Sequence, residues 1–396
     1  MSVLRPCARA SAIQESATLA VTAKVAELKR QGKDVISLGA GEPDFPTPAP
    51  MAQAGIHAIQ TGNTRYTAAA GTTELRAAAA TWLSTQLGTP YAPDEVMVTA
   101  GAKPALHMAL MTLVERGDKV LIPSPYWVSY PDLVRIADGV PVAVPPQPDQ
   151  EFLPTGAQID QWCKQHRAKG IILNYPNNPS GANPTRAQMA EIVAAAVAND
   201  IWILSDEIYF ALLYDGSTHV SPASVPGGRE RTVVVCGGTK SHSLTGWRVG
   251  FLAAPAEIVA TAGRVQSQVI GNPCTISQQA ALAACRWDAR AEIAMRVKAF
   301  DERRRFLVRE LNGIPGLKLS PPKGAFYALV DVRVLCQKLG CTDIQIATRL
   351  LDEHSLAVMP GSAFAIPGFV RLSYAASMQD LGAAVERIRN FVARID

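Results

Sequence analysis

The chain has 396 residues, 48% of them hydrophobic and 18% charged, with 29 Gly and 28 Pro. This composition is typical of an ordered globular protein with many turns, and it excludes collagen, coiled coil and disorder. The 38 Lys and Arg and the 34 Asp and Glu give a net charge of +4 that is not gathered into a basic stripe, so nucleic acid is not an expected partner. Seven Cys without a Cys-x-x-Cys pair and six His without ligand spacing predict reduced thiols and no structural metal.

The first residues do not form a secretory signal. Arg5 and Arg9 precede the mixed segment SAIQESATLA, which has no continuous apolar stretch. The charge-free run at 265–285 is interrupted by Gln, Ser, Asn and Pro, so it is not expected to cross a membrane. We therefore expect a cytosolic protein without a membrane partner. A chain of this length favours a fold of two lobes.

In chain order, the first predicted element is a helix over 18–31, with Leu19 and Val25 on one side. The loop GAGEPDFPTPAP follows it. Over about 94–254, short apolar runs alternate with helical patterns, which is typical of βαβ units and a largely parallel sheet. The predicted strands are 95–99, 119–123, 140–144, 170–174, 201–205, 232–236 and 249–254.

Two helices in this region have characteristic first turns. Pro104 suits the first turn of a helix after strand 95–99, and Thr185 with Gln188 can form a capping box before a second helix. The last third of the chain has a different pattern and predicts a smaller α+β lobe, with which helix 18–31 is expected to pack. Its elements are a charged helix over 288–311, a strand near 325–331, a helix near 343–353 and a strand at 369–373.

Polar groups follow several of the predicted strands. They are Gly101-Ala102-Lys103, Asn177-Asn178, Asp206 and Lys240. The carboxyl ends of parallel strands share the edge where ligands bind, and Arg248 joins that edge if strand 249–254 returns antiparallel. A lysine near a carboxylate, an arginine and a helix N-terminus favours an anionic, phosphorylated ligand and a desolvated amine that can form Schiff bases.

Each of these residues alone also has an ordinary structural explanation. A loop lysine is usually a solvated charge, and Asp206 at a strand end is often a helix cap. GTKS at 238–241 lacks the P-loop frame, and GAGEPD at 39–44 is not a dinucleotide fingerprint. The sequence also contains no zinc-protease, nucleophile-elbow or kinase signature.

Five segments together resemble the fold-type I, class I pyridoxal-phosphate aminotransferases. They are TKSHSLTGWRVG at 239–250, NYPNNPSG at 174–181, SDEIY at 205–209, SPYWVSYP at 124–131 and FVRLSY at 369–374. The match covers almost the whole chain in the family's order. It implies an α/β fold: a large domain at 45–290 with a mostly parallel seven-stranded sheet flanked by helices, and a smaller α+β domain made of 1–44 with 291–396.

The resemblance implies pyridoxal 5′-phosphate as the cofactor. Lys240 matches the lysine that forms a Schiff base with it and then moves the proton between Cα and C4′. Asp206 matches the carboxylate beside the ring nitrogen. Tyr209 and Asn178 match the pair that hydrogen-bonds the phenolic oxygen, and Trp127 matches the aromatic residue that stacks on the ring.

The resemblance also implies how the phosphate is held. Arg248, with the backbone N–H groups of Ala102 and Lys103, matches the phosphate cradle, and Thr239 is a candidate for one further contact. Tyr66 matches a tyrosine that reaches the phosphate of the neighbouring subunit. A homodimer with shared active sites is therefore implied.

The substrate carboxylate has a matching arginine near the C-terminus. Arg371 matches the residue that binds the α-carboxylate as a bidentate fork, and Ala40 and Gly41 match nearby backbone contacts. Asn178 and Trp127 are expected to contact the substrate as well.

The predicted side-chain pocket is similar to that of the bacterial branch containing aspartate and prephenate aminotransferases. Ser16, Thr18 and Lys103 match groups that bind a distal carboxylate, although Lys103 could instead only support the phosphate. Members that accept prephenate tend to have a basic residue where this chain has Gln14, so aspartate is favoured. His242 is expected to be a packing residue rather than an acid or base.

The prediction is an aminotransferase that moves the amino group of an L-amino acid, aspartate by preference, to 2-oxoglutarate in a ping-pong reaction. Prephenate, aromatic or other amino acids are alternative substrates. A β-lyase on the same fold, or a regulatory protein on an inactive scaffold, is an alternative class.

Overall fold

The computed structural model describes residues 4–13, 15 and 17–395. The strands are β1 (Ile36–Ser37), β2 (Val96–Thr99), β3 (Lys119–Pro123), β4 (Val140–Val144), β5 (Gly170–Asn174), β6 (Trp202–Asp206), β7 (Thr232–Cys236), β8 (Gly250–Ala253), β9 (Lys318–Leu319), β10 (Tyr327–Asp331), β11 (Leu356–Ala357), β12 (Met359–Pro360) and β13 (Phe369–Ser373). The helices are α1 (Ala8–Ser11), α2 (Ala17–Arg30), α3 (Ala49–Gln60), α4 (Thr73–Leu87), α5 (Ala102–Leu113), α6 (Tyr130–Ile136), α7 (Gly156–His166), α8 (Arg186–Ala198), α9 (Ala256–Val269), α10 (Thr275–Arg286), α11 (Arg290–Asn312), α12 (Arg333–Leu339), α13 (Asp343–His354) and α14 (Met378–Val392).

The largest sheet contains all seven strands predicted over 94–254. Its order is β2-β8-β7-β6-β5-β3-β4, and every neighbouring pair is parallel except the two pairs made by β8. Strands buried on both faces have continuous apolar sequences, which is why the strand prediction succeeds here. The predicted α/β class is confirmed.

Helices cover both faces of this sheet. Along β5, Ile172 packs into the cluster that contains residues of α5, whereas Ile171 and Leu173 pack on the opposite face with residues of α7 and α8. The predicted capping box of α8 is present, with Thr185 and Gln188 satisfying each other's backbone N–H groups. Two apolar layers therefore enclose the sheet and fix its strand ends.

The C-terminal third forms the predicted α+β lobe. A four-stranded antiparallel sheet in the order β12-β13-β10-β9 packs with residues of α11, α13 and α14 around one core cluster. The N-terminal segment joins it: Ile36 of β1 pairs in parallel with Leu356 of β11, and Val25 and Leu28 of α2 pack against Ala357. The predicted packing of the first helix on this lobe is therefore confirmed. The exact boundaries at residues 45 and 290 stay predictions.

The antiparallel strand β8 decides which side chains share an edge. Because β8 returns against β7, its preceding residue Arg248 lies at the end of the sheet where β6 ends in Asp206 and where Lys240 follows β7. Within the part of the chain that the structure describes, no helix combines the length and apolar character needed to cross a bilayer.

Candidate active site

A cavity of about 570 Å³ opens at this sheet edge. It is lined by nearly all of the predicted site residues: Thr18, Ala40, Gly41, Ala102, Lys103, Trp127, Asn178, Asp206, Tyr209, Thr239, Lys240, Arg248 and Arg371. Tyr66 is not among its lining residues and is 97% exposed. Ser16 and Gln14 lie outside the described residues. Strand ends, the N-terminal segment and the C-terminal sheet thus meet at one cavity.

Lys240 is a buried amine in the loop after β7. Its Nζ donates a hydrogen bond to the carbonyl oxygen of Gly41 at 2.5 Å and lies 5.9 Å from the ring centre of Tyr209. Burial lowers the pKa of Lys240 to about 8, although the carboxylates of Glu42 and Asp206 oppose this shift. A substantial fraction of the amine is therefore neutral near physiological pH, as a nucleophile or a proton acceptor requires.

Asp206 is a buried carboxylate at the end of β6. It accepts hydrogen bonds from the Tyr130 hydroxyl at 2.8 Å and from the backbone N–H of Ile208 at 3.3 Å. Burial raises the pKa of Asp206 to about 6, against the lowering effect of those hydrogen bonds and of Lys240. A cation placed beside this carboxylate would restore its full ionisation.

An anion cradle lies at the N-terminus of α5. Arg248 donates to the carbonyl oxygens of Thr245 at 3.0 Å and Ala100 at 3.5 Å. Gly101, the residue before the helix, has a φ of +103°, and a Cβ there would lie 2.7 Å from Arg248 Nη2. The glycine therefore lets the guanidinium approach the free N–H groups of the helix, a combination that suits a phosphate.

Lys103 and Trp127 form one wall of the cavity. The Lys103 Nζ lies 4.8 Å from the ring centre of Trp127. Burial, and then the charge of Arg248, lowers the pKa of Lys103. An acidic group inside the cavity that Lys103 lines would oppose this shift and stabilise the ammonium form.

Arg371 brings a buried positive charge from β13. Its guanidinium donates to Asn178 Oδ1 at 2.9 Å and to the carbonyl oxygen of Gly39 at 2.5 Å. It lies between the rings of Tyr327 and Phe364, with centroid distances of 4.5 and 4.8 Å. The buried Nε has no hydrogen-bond partner. Since the two acceptors are neutral, the charge remains available to a carboxylate ligand.

The sequence analysis assigned no role to three residues of the site. Tyr130 contacts Asp206, and Tyr327 contacts Tyr209. The side-chain amide of Asn174 donates to the Asp206 carbonyl at 2.9 Å and accepts from the backbone N–H of Asn178 at 2.9 Å. Tyr130 follows Trp127 by three residues, a spacing that could have placed both at the cavity. For Tyr327 the sequence contains no comparable signal.

His242 lies behind the lysine loop and is not among the residues that line the cavity. It is buried between the rings of Trp82 and Trp287, and its Nδ1 is 2.8 Å from the Ser241 Oγ. Burial, assisted by the charge of Arg296, lowers the pKa of His242 to about 4. This environment suits a neutral packing residue.

Comparison with known proteins identifies the family of the chain. Residues 33–388 match the family model described as aminotransferase class I and II. An aspartate aminotransferase from Bacillus sp. (strain YM-2) is 41% identical over 97% of this chain and 98% of its own length. A probable aspartate/prephenate aminotransferase from Aquifex aeolicus is 40% identical over 98% of both chains. The chain belongs to the class I and II aminotransferase family.

Solved structures show the same fold. An aspartate aminotransferase from Thermus thermophilus, determined with maleate, superposes with a TM-score of 0.92 at 39% identity and covers 98% of this chain and 100% of its own. One from Rhizobium meliloti gives a TM-score of 0.93 at 37% identity, covering 99% of both. The resemblance that the sequence motifs indicated is confirmed.

Proposed function

We propose that this protein is a pyridoxal-phosphate-dependent aminotransferase that takes the amino group of L-aspartate and passes it to 2-oxoglutarate. The observation that carries the proposal is the meeting of Lys240, Asp206 and Arg371 in one cavity. A desolvated amine, a buried carboxylate and a buried guanidinium without an acidic partner are the groups that this reaction needs. The relatives named aspartate aminotransferase support the same substrate.

The residues present fit the cofactor. The cradle of Arg248 and the α5 N-terminus, with Thr239, would hold the phosphate. Asp206 would hold the protonated ring nitrogen, because burial raises the pKa of Asp206 and a neighbouring cation stabilises the buried carboxylate. Tyr209 and Asn178 would hold the phenolic oxygen. When bound, the cofactor supplies an aldehyde that condenses with amines and a ring that accepts the electron pair left at the substrate Cα.

The chain's own groups then move and hold protons. Lys240 Nζ, neutral in part because burial lowers its pKa to about 8, accepts the proton from the substrate Cα and returns it later. Asp206 keeps its negative charge while a cation lies beside it. Tyr130 holds that carboxylate in place through its hydroxyl. Burial of these groups excludes water and strengthens each electrostatic contact.

Substrate selection is assigned to two cations. Arg371 would bind the α-carboxylate, exchanging a neutral carbonyl for a charged acceptor. Lys103, which lines the same cavity beside Trp127, would pair with the distal carboxylate of aspartate or 2-oxoglutarate. Thr18 lines the same cavity and is available to that carboxylate.

We further propose a cytosolic homodimer. Tyr66 is 97% exposed, and apolar side chains of Ile59 and Val269 are also exposed, at 58% and 60%. These surfaces are suited to burial against a second copy whose phosphate site Tyr66 would complete. Light scattering should give a dimer, and Tyr66→Phe should weaken cofactor binding. A monomer with full cofactor affinity would contradict this part of the proposal.

The central test compares Lys240→Ala with Lys318→Ala, which removes an exposed lysine of β9. Wild type and K318A should acquire visible absorbance with pyridoxal phosphate and lose that band on addition of aspartate. K240A should lose at least about 100-fold in rate, because it removes the nucleophile and the proton carrier. An unchanged rate in K240A would refute the proposal. A faster loss of the band with glutamate than with aspartate would make glutamate the preferred donor, and faster return of the band with prephenate than with 2-oxoglutarate would make prephenate the preferred acceptor.

A further inference from the structure

Tyr327 lies where the cofactor side and the carboxylate side of the cavity meet. It opens β10, whose register with β13 pairs Tyr327 with Ser373 and Leu329 with Arg371. Tyr327 and Arg371 are therefore diagonal neighbours on the same face of the sheet, within reach of an aromatic ring and a long side chain. The guanidinium of Arg371 lies 4.5 Å from the ring centre of Tyr327. The ring of Tyr327 thus packs against the guanidinium of Arg371 in a cation–π contact.

The hydroxyl of Tyr327 makes a second contact. It lies 2.7 Å from the hydroxyl of Tyr209, and the two rings meet edge to face with centroids 5.6 Å apart. A Cβ on Gly41 would lie 2.6 Å from the same hydroxyl. Gly41 in turn accepts the hydrogen bond from Lys240. One fully buried side chain therefore contacts Tyr209 and Arg371 and packs against Gly41, the hydrogen-bond acceptor of Lys240.

Proton counting sets the direction of the contact between the two phenols. Burial raises the pKa of both Tyr209 and Tyr327, so each keeps its one proton at neutral pH. If Tyr209 donates its proton to the cofactor's phenolic oxygen, as the proposed function requires, Tyr327 must donate to the oxygen of Tyr209. A donor behind Tyr209 polarises its O–H group and strengthens the forward hydrogen bond.

We propose that Tyr327 is a positioning residue with two separable roles, its hydroxyl orienting Tyr209 toward the cofactor and its ring orienting Arg371 toward the substrate carboxylate. This inference rests on the proposed function and assigns roles to a residue that the sequence motifs leave without one. The two roles use different parts of the side chain. Tyr327→Phe removes only the first, whereas Tyr327→Leu removes both.

The matched control is Tyr374→Phe. Tyr374 is a fully buried tyrosine whose hydroxyl donates to the Ala325 carbonyl at 3.3 Å, and it is not among the residues that line the cavity. All variants are first compared by thermal unfolding. Then the cofactor dissociation constant, the pH midpoint of the bound cofactor's visible absorbance, and kcat and KM for aspartate are measured.

Y327F should raise the pH midpoint by about 0.5 unit, because a donor at the phenolic oxygen stabilises its charge and lowers the pKa that the absorbance reports. Its KM should stay within about twofold of wild type, because the ring under Arg371 is kept. Y327L should show the same midpoint shift and a KM raised about 10-fold, the size of a lost cation–π contact at a buried site. Y374F should change neither quantity.

Each role has its own refuting result. An unchanged midpoint and cofactor affinity in Y327F would overturn the role of the hydroxyl, and equal KM values for Y327F and Y327L would overturn that of the ring. A midpoint shift in Y374F as large as in Y327F would show a general effect of losing a buried hydroxyl, which also overturns the proposal. A wild-type chain that fails to bind the cofactor would instead refute the proposed function itself.

Discussion

Asp206→Asn should stabilise the cofactor-free protein. Burial raises the pKa of this carboxyl from 3.8 to about 6, so the fold disfavours the charged form that predominates at neutral pH. A shift of about two units corresponds to roughly 3 kcal/mol of lost stability. The amide avoids this cost but leaves one of the two donors, Tyr130 or Ile208, without an acceptor, which costs about 1 kcal/mol. The expected net gain at pH 7.5 is about 2 kcal/mol.

The pH dependence follows from the direction of the shift. Because the pKa is raised in the folded state, the folded protein binds more protons than the unfolded chain between about pH 4 and pH 6. The contribution of Asp206 to stability is therefore present below about pH 4 and is lost as the pH rises to about 6. The advantage of D206N over wild type should grow across that interval and stay constant above it.

Urea unfolding at pH 4.5 and pH 7.5, at one fixed protein concentration, measures this difference. Asp288→Asn is the control, since a hydrogen bond from Arg290 lowers the pKa of that exposed carboxyl to about 2 and the sign is reversed. D288N should therefore not gain stability at pH 7.5. The reasoning is wrong if D206N is less stable than wild type at pH 7.5, or if its advantage is equal at both pH values.

Adding pyridoxal phosphate should reverse the ranking. A ligand at 100 times its dissociation constant stabilises a folded protein by about 2.7 kcal/mol. Wild type should gain that stability, whereas D206N lacks the charge that holds the protonated ring nitrogen and should gain much less. The residue that costs stability without cofactor is thus the one that couples cofactor binding to folding.

Three further variants test other parts of the cavity. Gly101→Ala should weaken cofactor binding at least about 10-fold in equilibrium dialysis, because its Cβ would lie 2.7 Å from Arg248 Nη2 and the backbone has a φ of +103°; unchanged affinity would contradict the cradle. Lys103→Met should lower kcat/KM for aspartate by about 10- to 100-fold and that for alanine by much less, since only aspartate has a distal carboxylate; equal losses would assign Lys103 to the phosphate. His242→Phe should keep the kcat of wild type, and a large loss of kcat would make His242 catalytic. Burial lowers the pKa of His242 to about 4, so between pH 6.5 and pH 4 the unfolded wild-type chain binds a proton at this residue that the folded protein does not. Urea unfolding should therefore show that wild type loses more stability than H242F as the pH falls across this interval.

Most strands of the largest sheet could be predicted because burial on both faces removes ambiguity from their sequences. Helices α9 and α10 could not, because buried glutamines interrupt their apolar pattern. Gln266 donates to the carbonyl oxygen of Val98 at 2.9 Å, and Gln278 donates to that of Pro273 at 2.9 Å. Periodicity treats a glutamine as a solvent-facing residue, whereas here each one is fully buried and donates to backbone carbonyl oxygens.

The residues of the site also differ in how far the sequence could place them. Asp206 and Lys240 could be placed together from strand ends alone, since one topological rule brings the carboxyl ends of parallel strands to a common edge, and Arg248 joins them once β8 is taken as antiparallel. No such rule relates that edge to a strand in a different sheet. Arg371 was therefore assigned only through a resemblance, and Tyr327, which lies in the same second sheet, was not assigned at all.

Lys240 and Arg371, to which the proposed function assigns the two central roles, both lie against the N-terminal segment. Lys240 donates to the carbonyl oxygen of Gly41, and Arg371 donates to that of Gly39, two residues earlier in the same loop. If a carboxylate replaced either carbonyl acceptor, it would form an ion pair with Lys240 or Arg371 and compete with the ligand of that residue. A neutral carbonyl satisfies the donor without pairing with its charge and is displaced at lower cost. The segment that precedes the large sheet therefore holds two buried donors in place through its carbonyl oxygens, and a side chain at Gly41 would collide with the Tyr327 hydroxyl, 2.6 Å from the Cβ position.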